Sequence, residues 1–187
     1  IGHFGGKDEV NTESRIVKKI VLDKPIYSDQ EHKCRMVHCR EDINNLIFET
    51  PTLDVAYLDP PYNQHPYGSN YFMLNTILRN QAGEELSRVS GIPKDWNHSD
   101  YNYKHSASTS LQTLLMGLRT KTRYIILSYN NEGIIEKQRL IDIFNTVGYS
   151  WNLREIPYQT YKGSRNLKQR DSTVQEYLWI LRNTHVN

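Results

Sequence analysis

Apolar positions along the chain alternate between short runs typical of buried strands and spacings typical of helices. The runs predict strands, with a weaker candidate at residues 16–22 and clearer ones at 35–39, 54–58, 124–128, 151–156 and 176–181. Leucine and isoleucine at helical spacing predict helices at 42–48, 71–80, 110–118 and 134–147, the last closed by Gly148. Strands that alternate with helices predict an α/β domain with a mostly parallel sheet.

The last two predicted strands differ from the others because no helix separates them. Only a polar, basic stretch at 162–170 connects them, and a parallel crossover usually needs a helix. The sequence therefore predicts an antiparallel strand at the carboxyl end of the sheet. In sheets of this kind ligands bind at the carboxyl ends of the parallel strands, where Asp59 and Tyr129-Asn130 should lie.

Asp59-Pro60-Pro61-Tyr62 directly follows the apolar strand 54–58. Two prolines end a strand and stiffen the turn, so the Asp59 carboxylate and the Pro60 carbonyl form a preorganised pair of acceptors. Such a pair suits an aromatic amine, a poor nucleophile whose lone pair is delocalised into its ring. The Tyr62 ring offers a surface on which a flipped base can stack. Taken alone, the four residues could also be a turn that merely ends a strand.

Several further segments accompany this tetrapeptide: 54–63 (DVAYLDPPYN), 69–77 (SNYFMLNTI), 126–133 (ILSYNNEG), 161–165 (YKGSR) and 175–178 (QEYL). Together they resemble the D12 class of adenine-specific DNA methyltransferases over about residues 34–182. The resemblance implies a Rossmann-like methyltransferase sheet, S-adenosylmethionine (SAM) as methyl donor and adenine N6 in double-stranded DNA as acceptor, with a place in a restriction–modification system. It makes Asp59, Pro60, Pro61 and Tyr62 the catalytic residues.

The family's glycine-rich SAM-binding turn, Phe-x-Gly-x-Gly, has no counterpart here. Phe4-Gly5-Gly6-Lys7 lacks a preceding strand and has the wrong spacing. We therefore expect residues 1–187 to form one partial catalytic domain whose amino-terminal strands are missing, with weak or no SAM binding by itself. The missing segment was either removed or is supplied by a second chain.

Asp42 and Glu41 occupy the region where the family places groups near the adenosine of SAM, so both are candidate cofactor contacts. Asp42 could equally be a carboxylate that favours the start of a helix.

The stretch 162–170 contains Lys162, Arg165, Lys168 and Arg170, with Tyr161 beside it. Basic residues interleaved with aromatic ones suit DNA phosphates and a flipped base, so we expect these five residues to bind nucleic acid. A solvated loop is the alternative.

Residues 63–107 form a long polar insertion, which we expect to recognise the target or to close over the extruded base. Its candidate side chains are His65, Tyr67, Asn70, Trp96, His98, Tyr101, Asn102, Tyr103, Lys104 and His105. The alternative is a surface loop, and a metal site built from His98 and His105 is favoured less than either.

Composition changes this picture little. The net charge of +2 is too even to indicate nucleic acid, and the 13 tyrosines suit both strands and stacking sites. Cys34 and Cys39 would point to opposite faces of a strand, which argues against a disulfide and for a reduced, cytoplasmic protein. No apolar run approaches a membrane span, so no membrane partner is expected. Two other functions stay open: a non-catalytic DNA-binding or assembly subunit, and methylation of an amine in RNA or protein.

Overall fold

A computed structural model of the chain describes residues 21, 23–27, 37, 39, 41–64, 66–80, 85–88, 92–94, 97–159 and 173–184. Its helices are α1 (Ile43–Leu46), α2 (Tyr67–Asn70), α3 (Phe72–Arg79), α4 (Ala107–Leu118) and α5 (Lys137–Val147), with a 3-10 helix at Asp100–Asn102. Its strands are β1 (Leu53–Leu58), β2 (Thr122–Asn130), β3 (Tyr149–Gln159) and β4 (Thr173–Asn183).

The four described strands form one sheet in the order β1-β2-β4-β3. β1 and β2 are parallel, whereas β4 is antiparallel to both of its neighbours. The predicted α/β class and the antiparallel final strand are confirmed. The described sheet is mixed: β1, β2 and β3 run in one direction, and β4, inserted between β2 and β3, runs in the other.

The two earliest predicted strands, 16–22 and 35–39, lie largely outside the described residues. Val21, Val37 and Cys39 are described; all three are exposed and none belongs to a strand. Cys39 is a free cysteine. Among the described residues, no helix is both long and apolar enough to cross a membrane.

One face of the sheet carries the core. Alternate residues of the strands, such as Ile125, Leu127 and Trp179, are buried beneath α4 and α5. Phe144 of α5 meets the Trp179 ring edge-on at 5.2 Å. Each large apolar side chain buried in this way contributes roughly 1.5–3 kcal/mol, so this layer fixes the sheet.

The opposite face of β1 and β2 is open. Val55, Tyr57 and Tyr124 alternate with the buried residues and are 51%, 62% and 36% exposed. The described residues therefore cover β1 and β2 on one side only.

Helix α5 ends at the glycine that the sequence predicts. Gly148, the predicted end of α5, adopts a left-handed φ of 90°, and its N–H donates to the carbonyl of Phe144 at 3.0 Å. The turn after it leads directly into β3. Register and helix placement together bring the carboxyl ends of β1 and β2 to the same edge of the sheet.

Candidate active site

Residues 59–62, here called the acceptor loop, leave the carboxyl end of β1. Asp59 continues the alternation of β1 on the open face of the sheet, next to Tyr57, and is exposed. Within the described part of the chain, neither the Asp59 carboxylate nor the Pro60 carbonyl takes part in a hydrogen bond. Among the described residues, nothing therefore occupies the two oxygens that the sequence predicts to accept hydrogen bonds from a ligand.

The acceptor loop is held by the segments that follow it. The carbonyl of Tyr62 accepts a hydrogen bond from the N–H of Ile134 at 2.8 Å. The next carbonyl, that of Asn63, accepts one from the side-chain amide of Asn102 at 2.7 Å. Asn102 is 5% exposed, so its amide is fixed in the protein interior. Two separate elements thus fix the chain at the end of the acceptor loop and directly after it.

The Tyr62 ring is supported from the side by Tyr129, the penultimate residue of β2. The two rings meet edge-on with centroids 6.1 Å apart. Tyr129 is buried, and its hydroxyl accepts a hydrogen bond from the N–H of Ile135 at 3.0 Å. Burial, reinforced by the charges of Glu176 and Asp59 among others, raises the pKa of Tyr62, so its phenol stays neutral at physiological pH.

Gly133 makes this support possible. A Cβ atom at this position would lie 2.2 Å from Cε1 of Tyr129, a distance that no side chain can adopt. The turn after β2 can cross the Tyr129 ring only because residue 133 is glycine. Sequence reasoning gave Gly133 and Asn102 no such role; a glycine in a turn directly after a buried strand was the available signal for the first.

A cavity of about 420 Å³ opens beside the acceptor loop. Its walls bring together both groups of predicted site residues, the candidate cofactor contacts Glu41 and Asp42 and the catalytic Asp59, Pro60 and Pro61. The other lining residues are Ile43, Tyr57, Leu58, Asn97, His98, Ser99, Tyr101, Leu111 and Leu114. Tyr62 is not among them; it stands outside the cavity against Tyr129.

Asp42 has a structural role as well as a place in the cavity wall. Its carboxylate caps α1 by accepting a hydrogen bond from the N–H of Asn44 at 2.9 Å. The side-chain amide of Asn44 donates to the carbonyl of Ser110 at 2.8 Å, and Tyr101 donates its hydroxyl proton to Asn44 at 2.9 Å. α1, and Asp42 with it, is therefore tied to α4 and to the insertion.

The insertion places its candidate residues in different roles. Tyr101 and Asn102 are buried and bind the protein itself, so they are not free to contact base edges. His98 lines the cavity, and its Nδ1 lies 2.9 Å from the hydroxyl of Tyr103. His65 and Trp96 lie outside the described residues. In the parts of the chain that are described, no cluster of three metal-ligating side chains occurs.

The five predicted nucleic-acid contacts, Tyr161, Lys162, Arg165, Lys168 and Arg170, all lie outside the described residues. The ends of their segment are described, since Gln159 pairs with Thr173 across β3 and β4. Those ends lie near the pair formed by Glu176 and Asn130, at the carboxyl end of β2. The basic segment therefore begins and ends at the same edge of the sheet as the acceptor loop.

Comparison with known proteins matches residues 9–143 to the family described as D12 class N6 adenine-specific DNA methyltransferase. The match begins upstream of residue 34, where the recognisable motifs start, so residues 9–33 carry family signal that the motifs did not reveal.

Three curated relatives are similar to most of this chain. Modification methylase StsI of Streptococcus sanguinis is 34% identical over 148 residues, which cover 76% of this chain and 21% of that protein. Type II methyltransferase M.NlaIII of Neisseria lactamica is 32% identical over 145 residues, covering 76% and 42%. Type II methyltransferase M.CviAII of Paramecium bursaria Chlorella virus 1 is 29% identical over 169 residues, covering 88% and 48%. The chain thus spans between about a fifth and about a half of the length of these relatives.

Proposed function

Because the chain belongs to the D12 class of N6 adenine-specific DNA methyltransferases, we propose that it supplies the methyl-accepting side of an enzyme that methylates adenine N6 in DNA, within a restriction–modification system. One observation carries the proposal beyond family membership. The Asp59 carboxylate and the Pro60 carbonyl, both without hydrogen-bond partners in the described residues, stand together beside a cavity of ligand size.

The acceptor loop performs three tasks in this proposal. The Asp59 carboxylate accepts a hydrogen bond from one proton of the adenine amine, and the Pro60 carbonyl accepts one from the other. Holding both protons in this way turns the nitrogen lone pair out of conjugation, toward the incoming methyl group. The Tyr62 ring stacks on the extruded base, and such stacking is worth roughly 1–3 kcal/mol, comparable with the cost of extrusion.

The cavity fits one side of SAM. Its apolar walls, formed by Ile43, Leu58 and Leu111, suit a purine, and its carboxylates, Asp42 and Glu41, suit a ligand with positive charge and hydrogen-bond donors. When bound, SAM supplies an electrophilic methyl group on a sulfonium sulfur. Both carboxylates are exposed, so we propose that this chain alone holds the donor weakly. Calorimetric titration with SAM tests this directly: tight binding would contradict it.

DNA binding is assigned to the segment that contains Lys162, Arg165, Lys168 and Arg170. Four basic residues against one acidic residue within 160–172 give it a local positive charge that the whole chain lacks. The described residues that flank it, Gln159 and Thr173, lie at the same edge of the sheet as the acceptor loop. Replacing Arg165 and Lys168 together by alanine should weaken DNA binding and lower the slope of log Kd against log salt by about 1 per lost phosphate contact. An unchanged slope would contradict the assignment.

A second candidate function is a non-catalytic DNA-binding or assembly subunit that retains the adenine pocket. The carboxylates of the cavity are exposed and weakly held, which favours this second function. A chain that cannot bind the methyl donor cannot catalyse methyl transfer.

Methyl transfer from tritiated SAM to unmethylated DNA, to RNA and to protein separates these functions. The proposal predicts label in DNA alone, lost in Asp59→Asn and retained in Asp54→Asn, a matched exposed aspartate at the start of β1. DNA binding without any label, at SAM concentrations that saturate the chain, would favour the non-catalytic subunit. Label in RNA or protein would replace DNA as the acceptor.

A further inference from the structure

Glu176 is an acidic residue at the same edge of the sheet to which the resemblance gives no role. It lies near the start of β4, opposite Asn130, the last residue of β2. Leu58 of β1 pairs with Leu127 of β2, so Asp59 continues on the sheet face that carries Ser128 and Asn130. Alternation therefore places Asp59, Asn130 and Glu176 on one face, across three adjacent strands.

The turn after β2 holds Glu176 in place. Asn130, its partner across the two strands, is only 6% exposed, and its Oδ1 accepts a hydrogen bond from the N–H of Glu132 at 3.1 Å. Asn131 anchors the residue before Glu176, since its N–H donates to the carbonyl of Gln175 at 3.0 Å and its Oδ1 accepts from the N–H of Gln175 at 2.9 Å. The position of Glu176 is thus determined by the same turn that carries Gly133 and supports Tyr62.

Glu176 is close enough to the acceptor loop for its charge to influence the ionisation of groups there. Burial, and then the negative charge of Asp59, raise the pKa of Glu176, while the neighbouring amide of Asn130 opposes both. The pKa of Tyr62 is in turn raised by burial and then by the negative charge of Glu176. Only one strand separates β1 from β4, at a spacing of about 4.8 Å between neighbours.

A half-buried carboxylate beside a second carboxylate costs folding free energy. Costs of this kind concentrate at functional sites, where a charge is needed for chemistry rather than for stability.

We propose that Glu176, held at this edge of the sheet by the turn after β2, is a second carboxylate of the acceptor site and adds negative potential where the adenine amine gains positive charge. The inference rests on the proposed function. In the reaction the N6 lone pair forms the new N–C bond, and the carbon–sulfur bond of the donor breaks with its electron pair left on sulfur. The surplus N6 proton passes to solvent by way of the Asp59 carboxylate. Positive charge therefore moves onto the amine in the transition state, and a nearby negative charge lowers the barrier.

Glu176→Gln separates this role from a structural one. Glutamine keeps the size of the side chain and an oxygen that can accept a hydrogen bond, and it removes the charge. The expected result is a roughly tenfold lower kcat, below the ~10²–10³-fold loss of a directly contacting group, with KM for DNA and SAM within about twofold. Glu155→Gln, on the neighbouring strand β3 and paired with Lys137 at the surface, is the control with the same charge change. Equal kcat in Glu176→Gln and wild type would overturn the inference.

A second readout does not depend on activity. Because the folded state raises the pKa of Glu176 above its ordinary 4.5, the native protein binds that proton more tightly than the unfolded chain. The wild type should therefore lose stability relative to Glu176→Gln as the pH rises from about 4 to 7.5. Among the described residues, the other ionisable groups near this position include Asp59, Tyr62, Glu132 and, on the same face of β3, Arg154 and Tyr158; all are identical in the two proteins.

The Tm difference between the two proteins, measured across that pH range, decides the matter. A gap that widens with pH in favour of Glu176→Gln supports the inference, whereas a gap that is absent, or that favours the wild type throughout, overturns it. Failure of the proposed function looks different. The wild type would then place no methyl group on DNA while the pH-dependent gap persisted, and the catalytic part of this inference would fall with that function.

Discussion

The two sides of the cavity differ in how firmly the described residues hold them. On the acceptor side, the carbonyls of Tyr62, which ends the loop at residues 59–62, and of Asn63, which follows it, are both anchored by hydrogen bonds, and the ring of Tyr129 packs edge-on against Tyr62. On the other side, Glu41 and Asp42 are exposed, and the hydrogen bond described for the Asp42 side chain caps its own helix. The described residues therefore fix the acceptor loop more firmly than they fix Glu41 and Asp42.

This difference suggests different tasks for the two sides of the cavity: the acceptor side positions atoms, and the donor side contributes to the affinity for SAM. The acceptor loop is fixed by elements distant in sequence, namely the turn after β2 and the insertion before α4. The donor-side residues are fixed by local capping and by the attachment of α1 to α4 through Asn44. Changes on the acceptor side should therefore reduce methyl transfer, and changes on the donor side should reduce SAM affinity alone.

Among Tyr62, Gly133 and Asp42, the largest effect on methyl transfer is expected at Tyr62. Tyr62→Ala removes the stacking surface, which is worth roughly 1–3 kcal/mol, so the transfer rate at low DNA concentration should fall about 5- to 150-fold. Tyr62→Phe keeps the ring and should stay within about twofold of wild type. Steady-state kinetics on DNA measures both. Equal losses in the two variants would point to the hydroxyl and contradict a stacking role.

An intermediate effect is expected at Gly133. Gly133→Ala forces the turn away from the Tyr129 ring and should lower the unfolding free energy by about 1–3 kcal/mol while shifting Tyr62. Gly148→Ala is the matched control, because its left-handed φ makes alanine strained at a position remote from the site. Both variants should lower Tm, and only Gly133→Ala should lower activity per folded molecule. Similar activity losses in the two would show that Gly133 acts through stability alone.

The smallest effect is expected at Asp42. Asparagine caps a helix about as well as aspartate, so Asp42→Asn preserves α1 and removes only the charge. We expect SAM affinity to fall a few-fold, about 1 kcal/mol or less, with unchanged Tm and unchanged saturating rate. Calorimetry and thermal melts measure the two quantities. If SAM affinity is unchanged, Asp42 serves as a helix cap only.

Sequence reasoning succeeded where structure and chemistry are local. The strand before Asp59, the helix ended by Gly148 and the final antiparallel strand each depend on a pattern within a few residues, and all three are confirmed. Sequence reasoning was less successful where the role of a residue depends on the register between strands. Nothing local to Glu176 reveals that it faces Asn130, because that pairing arises only when β4 inserts between β2 and β3.

The insertion at residues 63–107 shows a second reason why the site could not be predicted fully from the sequence. Tyr101 and Asn102 have the composition of a recognition loop, yet they fold inward and bind Asn44 and the carbonyl of Asn63. Buried polar groups must find hydrogen-bond partners, and these two find theirs in elements far away in sequence. Amino-acid type alone could not distinguish that use from contact with a base.

The most direct test is mass spectrometry of the nucleosides from unmethylated DNA incubated with this chain and millimolar SAM. The high SAM concentration compensates for the weak SAM binding that is expected of this chain alone. The account predicts N6-methyladenine as the new nucleoside, with a yield roughly 10³-fold lower for Asp59→Asn, because one of the two acceptors for the amine protons loses its charge. Formation of a different methylated base, or an equal yield of N6-methyladenine from Asp59→Asn, would contradict it.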